Sequence, residues 1–149
     1  MLFRSIGKSI RILEMFKLPG ISTLNQYFKK IKNNHPKKLK NILKINKSDD
    51  ELCPIYTGVR ILDNCNQLED LNVIKFFNIN YPLLIIPFLS RSSYIINKPI
   101  HVILDQGKYI LNCNKTIFTN IEKSNNCKIS KELTIQFEEN KNLDRKSVV

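Results

Sequence analysis

The sequence predicts an α/β domain in which a small mixed sheet is packed by one helix and followed by a connector helix. Three observations lead there. The chain has 149 residues, one domain's worth on a prior of roughly 100–200 residues. Its 42% hydrophobic and 25% charged residues match a globular chain and exclude a collagenous or low-hydrophobicity disordered one. Apolar segments of strand length then alternate with segments whose apolar residues recur at helical steps.

In chain order, residues 55–62 (IYTGVRIL) read as a strand, because Val59 and Ile61 alternate with Arg60 and Leu62. A polar turn and a short return strand follow. Leu68, Leu71, Ile74 and Phe77 fall at steps of three and predict a short amphipathic helix. Residues 82–88 (PLLIIPF) are apolar throughout and suit a buried strand, limited at both ends by prolines that lack a ladder donor. After a polar loop ending at Pro99, residues 100–104 (IHVIL) read as another strand, closed by Asp105, Gln106 and Gly107. Ile110, Cys113, Ile117 and Ile121 are spaced 3, 4 and 4 and predict a helix with a thin apolar seam, a connector rather than a core element. Residues 132–137 (ELTIQF) alternate like a strand, and a lone strand there cannot bury its apolar face alone.

Charge is unevenly placed. Of a net +11, residues 1–48 hold 12 Lys/Arg against one acid, Glu14, whereas residues 49–149 hold 12 of each sign. The chain therefore reads as a basic extension on a neutral domain. The opening MLFRSIGKSIRILEMF sets Leu2, Ile6, Ile10 and Leu13 on one helical face and Arg4, Lys8 and Arg11 opposite. Such a basic, serine-containing, acid-poor start is the pattern of an organelle transit peptide, mitochondrial before plastid. Residues 29–47 carry eight lysines, which either bind polyphosphate without sequence preference or form a solvated tether. Ile, Lys and Asn number 22, 19 and 18, with no alanine; their codons are rich in A and T, so lysine and asparagine carry less chemical weight here. The longest apolar run, YPLLIIPFL, is far short of the ~18–20 residues of a membrane-spanning helix.

Enzymatic chemistry finds little support. Cys53, Cys65, Cys113 and Cys127 have no CxxC spacing, and neither His35 nor His101 lies near them in sequence, so zinc is not expected. Without a secretory signal, the cysteines read as reduced thiols. With four glycines no phosphate-cradling loop forms, and no nucleophile, base and stabiliser stand together. No cofactor or metal is expected.

Residues 59–111 resemble the N-terminal domain of bacterial-type translation initiation factor three. Val59-Arg60-Ile61 and Gln67-Leu68 match that family's opening strand and turn. Pro99, Ile103, Asp105, Gly107, Lys108 and Tyr109 match its proline-to-aromatic signature at the same spacing. Gln106 stands where the family usually has tyrosine, and Leu111 where it has a second aromatic. The resemblance implies a four-stranded, ubiquitin-like sheet packed by one helix over residues 49–109, with 1–48 as the extension. It implies a connector helix over 110–126 and the start of an incomplete C-terminal domain over 127–149.

It further implies a monomeric, non-enzymatic organellar initiation factor that binds the small ribosomal subunit, through rRNA and platform proteins, and influences initiator tRNA selection. Arg60, Arg91, Lys98, Lys108, Tyr109 and Lys115 are the expected contacts, since phosphate favours Arg and Lys. Pro99, Ile103, Asp105 and Gly107 are expected to be architectural. Asp105 would cap the helix that follows it, and Gly107 would serve the turn. His101 reads as an outward-facing or satisfied strand residue. The alternatives are a structural RNA-binding protein of an organellar ribosome, or a truncated fragment.

Overall fold

In the computed structural model, which describes residues 2–32, 51–121 and 128–138, four α-helices precede a five-stranded antiparallel sheet and a fifth follows its first strand. The helices are α1 (Leu2–Met15), α2 (Gly20–Ile31), α3 (Pro54–Asp63), α4 (Cys65–Leu68) and α5 (Ile86–Ile96). The strands are β1 (Val73–Asn80), β2 (Ile100–Leu104), β3 (Gly107–Asn112), β4 (Thr116–Thr119) and β5 (Ile129–Phe137), in spatial order β1-β5-β2-β3-β4. β5 pairs antiparallel with both β1 and β2. β1 and β2 therefore run parallel, joined through α5, with the last strand filling the gap between them. Strand β5, expected to open a further domain, is in this way an interior strand of the sheet.

The architecture is α/β, as expected, but the sheet is antiparallel with five strands rather than mixed with four, and several helices pack it. Five segments take other forms than their patterns suggested, the shortest being the expected return strand after residue 62, which is helix α4. Residues 55–62 lie in α3: Pro54 occupies its first turn, where the missing N–H costs nothing, and Pro54, Thr57, Gly58 and Ile61 turn inward at helical steps. The expected helix at 68–77 ends after one 3-10 turn, Glu69–Leu71. From Val73 the residues are β-branched and aromatic; Ile74 and Phe76 point to the core while Val73 and Lys75 are exposed.

The apolar run at 82–88 is a 3-10 turn, Pro82–Ile85, continuing into α5, with both prolines in first turns. The expected connector helix is the β3–β4 hairpin. Cys113 and Asn114 both take positive φ (52° and 60°), and the Lys115 N–H bonds the Asn112 carbonyl at 3.0 Å; the turn centred on these two residues, with Lys115, makes a three-residue connection before Thr116 pairs with Asn112. Residues 122–126 of that expected helix lie outside the described residues, as do 33–47 of the lysine run.

One face of the sheet carries the core. Ile74 and Phe76 of β1, Leu133, Ile135 and Phe137 of β5, Ile100 and Val102 of β2, and Tyr109 and Leu111 of β3 share it. Phe88 and Leu89 of α5 are buried with them in one cluster. α3 packs so closely on α5 that a Cβ at Gly58 would overlap the Phe88 ring.

The basic extension, which the sequence sets apart from the neutral domain, is over residues 2–32 a helical hairpin built onto this body. Leu13, Leu18 and Tyr27 belong to the same core cluster, with Ile6 and Ile10 packed against it. Gly20 lets the two helices meet, since a Cβ there would stand 2.9 Å from that of Leu13. The Tyr27 hydroxyl, buried, lies 2.7 Å from the Cys53 Sγ at the start of α3, and Lys30 pairs with Glu51 at 3.2 Å.

Candidate nucleic-acid interface

The outward stripe of α1 is cationic by its spacing. Arg4, Lys8 and Arg11 stand at i, i+4 and i+7, all exposed, because Ile6, Ile10 and Leu13 hold the other face against the body. None of the three has an ion-pair partner among the described residues. The only acid of α1, Glu14, accepts a hydrogen bond from the Ile21 N–H at 3.1 Å and so ties α1 to the first turn of α2.

Arg91 of α5 joins this edge. Its Nη1 donates to the Ser5 hydroxyl at 3.4 Å, which seats the guanidinium beside the first turns of α1. One residue earlier, the Ser90 hydroxyl donates to Asn114 Oδ1 at 2.7 Å. That bond draws the β3–β4 turn, and with it exposed Lys115, toward the same part of α5. The backbone there is pinned by buried Ser93, whose hydroxyl has the Lys98 and Leu111 carbonyls within reach as acceptors, at 2.6 and 3.0 Å, and accepts from the Cys113 N–H. Arg91 and Lys115 are thus two expected contact residues that the fold brings toward one edge.

The remaining expected contacts are dispersed. Arg60 is exposed on α3 in the helical layer. Lys108 is exposed on the sheet face turned away from the helices, in register with Ile103. Lys98 is engaged by Glu69 at 3.1 Å, both side chains less than a quarter exposed, so its charge is compensated. Tyr109 is a core residue. Burial pushes its phenol above the ordinary tyrosine range, with the Thr119 hydroxyl acting weakly the other way, and the ring does not reach solvent for stacking.

The motif residues are architectural in a different setting from the expected strand-to-helix turn. Asp105 and Gln106 form the two-residue β2–β3 turn, with Leu104 opposite Gly107. Asp105 caps no helix; its carboxylate accepts from the Lys131 N–H at 2.8 Å and prolongs the β2–β5 pairing past the end of β2. Gly107 has φ +157°, and a Cβ there would collide with Asn120 and Ile121. Asn120 in turn accepts from the Lys108 N–H at 2.8 Å. The Pro99 carbonyl accepts from the Glu138 N–H at 3.2 Å, while Ile103 faces outward, part-exposed. His101 lies half-buried on the outward face, its Nε2 3.2 Å from Glu138, a satisfied strand residue.

Cys53 and Cys65 are buried and Cys113 half-buried, all as free thiols, and burial raises the Cys65 thiol above its usual range, which disfavours the nucleophilic thiolate. No group of three or more His, Cys, Asp or Glu able to hold a metal occurs among the described residues. Nor is any described helix long and apolar enough to cross a membrane. Arg4, Lys8 and Arg11 were legible in the sequence as a basic helical face. Their link to Arg91 was not, because it depends on how α1 packs. Neither a family model, nor a curated protein, nor a solved structure matches the chain.

Proposed function

We propose that the protein is a non-enzymatic RNA-binding component of an organellar translation apparatus, contacting the phosphate backbone of rRNA with the α1 edge. The observation that carries this reading is the uncompensated cationic stripe Arg4, Lys8 and Arg11 with Arg91 seated at its end. Phosphate contacts of this kind position a protein without reading bases, and each one adds to the salt dependence of binding. The organellar setting rests on the basic amphipathic start of the sequence. In the fold that same helix is fixed by Ile6, Ile10 and Leu13, so the reading includes α1 in the working protein.

The initiation-factor role is the narrower form of the proposal. It rests on the resemblance carried by the motif residues and their spacing between Val59 and Tyr109, and adds binding to the small subunit near initiator tRNA. A salt-wash sedimentation experiment separates the forms. An initiation factor pellets with free small subunits, is absent from assembled ribosomes and washes off; a structural component stays with salt-washed ribosomes.

For either form, the triple change Arg4→Glu, Lys8→Glu and Arg11→Glu is expected to weaken binding of the full chain to small-subunit rRNA at least tenfold. It should also lower the slope of log affinity against log salt by roughly two to three, about one per lost contact. Equal affinity and slope in the triple variant would remove the α1 edge from the proposal.

A further inference from the structure

The far end of the helical hairpin carries a second surface, of different chemistry. Met15, Ile21 and Phe28, three large apolar side chains, are 68%, 58% and 45% exposed. They have no inward alternative. The inner side of α2 is filled by Gly20, Thr23 and Tyr27, and Leu13 holds the inner side of α1. On α2 and its C-cap, Ile21, Phe28 and Lys32 lie at i, i+7 and i+11, one stripe of the helix. Met15 ends α1, and the Glu14–Ile21 hydrogen bond keeps the two helix ends together, which brings Met15 close to the start of that stripe. Exposed Lys17, in the turn, Lys29, on α2, and Lys32, at its C-cap, border it. None of the three has an ion-pair partner among the described residues.

We infer that this face of the α1–α2 hairpin binds the surface of an anionic lipid bilayer, with Met15, Ile21 and Phe28 entering the acyl boundary and the lysines meeting headgroups. Charge complementarity selects the occupant. A polyphosphate rewards the lysines by counterion release but gains little from Met15 or Ile21. An apolar protein groove would reward the apolar row but not the uncompensated lysines around it. An anionic bilayer rewards both, and helices carrying an apolar row beside lysines lie in its interfacial plane without spanning it. The cationic α1 stripe remains available to RNA on such a surface.

The chain contains no tryptophan, so Phe28→Trp supplies a single reporter. The full chain is mixed with vesicles of phosphatidylcholine, with and without phosphatidylglycerol, and binding is read by flotation and by emission. Binding to the mixed vesicles alone is expected, with a blue shift of the Trp reporter. Ile21→Ser with Phe28→Ser should weaken vesicle partitioning by about tenfold or more, with circular dichroism unchanged and affinity for RNA held. Vesicle binding as tight as wild type in that double variant would overturn the inference, because lysines alone would then be acting. So would a parallel loss of RNA affinity, which would make the face an RNA contact. A concentration-dependent dimer abolished by the same changes would assign the face to a second copy and overturn it equally.

Discussion

The α1–α2 hairpin and the α5–sheet body differ in what holds them and in what they present. The body is closed from both ends of the chain: β5 returns between β1 and β2, so each interior strand has ladder partners on both sides. Its charge is balanced and partly paired, as with Lys98–Glu69 and Lys75–Glu132. The hairpin is fastened by a few side chains, chiefly Leu13, Leu18 and Tyr27, and its outward cations are mostly uncompensated. Stability is concentrated in one region and uncompensated charge in the other. That division lets a contact surface change without touching the core.

The comparison breaks most visibly under core truncation. Phe88 is 1% exposed and fills the space between α3 and the sheet, so Phe88→Ala should cost about 3–5 kcal/mol. Amide exchange should then accelerate in both regions together. Leu13→Ala, in the hairpin, should cost about 2–5 kcal/mol but act locally, freeing the amides of α1 and α2 while those of β2 and β5 keep their protection. Equal loss of protection in β5 would show one cooperative unit and dissolve the distinction.

What the sequence disclosed follows the same physics. Strands β2 and β5 were legible because alternation there has one reading: Ile100, Val102 and Leu104 turn inward, and so do Leu133, Ile135 and Phe137. Helix α1 was legible because its two faces differ in charge as well as hydropathy. The run at 82–88 was not, since a segment apolar at every position fits a buried helix and a buried strand alike; Pro82 and Pro87, taken as limits on a strand, are first-turn helix prolines. Ile110, Cys113, Ile117 and Ile121 matched a helical period by coincidence, and the better signal was Asn114 in a turn followed by Thr116 and Ile117. Of the candidate site, residue types were readable but pairing was not: that Glu69 compensates Lys98, or that Ser5 meets Arg91, depends on contacts between distant segments.

Alkaline pH sharpens the comparison with a smaller effect. Burial, reinforced by the Cys53 thiol, keeps the Tyr27 phenol protonated far above its ordinary range, and burial does the same less strongly for Tyr109. The unfolded chain ionises both near pH 10. Stability from these groups is therefore complete below about pH 10 and falls as pH rises, because the unfolded state releases protons that the folded state retains. Cys65 adds an earlier loss of the same sign from about pH 9. Denaturant melts from pH 8 to 11 should show this decline. Tyr27→Phe should flatten it for the hairpin, and Tyr109→Phe for the sheet. A decline unchanged in both variants would place the titrating groups elsewhere.

The smallest effect is the most discriminating for the interface. Lys98 and Arg91 lie seven residues apart and look equivalent in sequence, yet among the described residues Lys98 meets a carboxylate while Arg91 meets a serine hydroxyl and no acid. A cation already compensated gains less from phosphate, since binding would first have to break or share its pair with Glu69. Lys98→Ala should therefore cost at most about 1 kcal/mol of stability, the range of a part-exposed pair, and leave RNA affinity unchanged in fluorescence anisotropy. Arg91→Ala should weaken RNA binding several-fold with little change in melting, because its guanidinium remains free to bond phosphate. If Lys98→Ala lost as much affinity as Arg91→Ala, phosphate would be reaching both sites, and the contact surface would extend past α1 onto the balanced body.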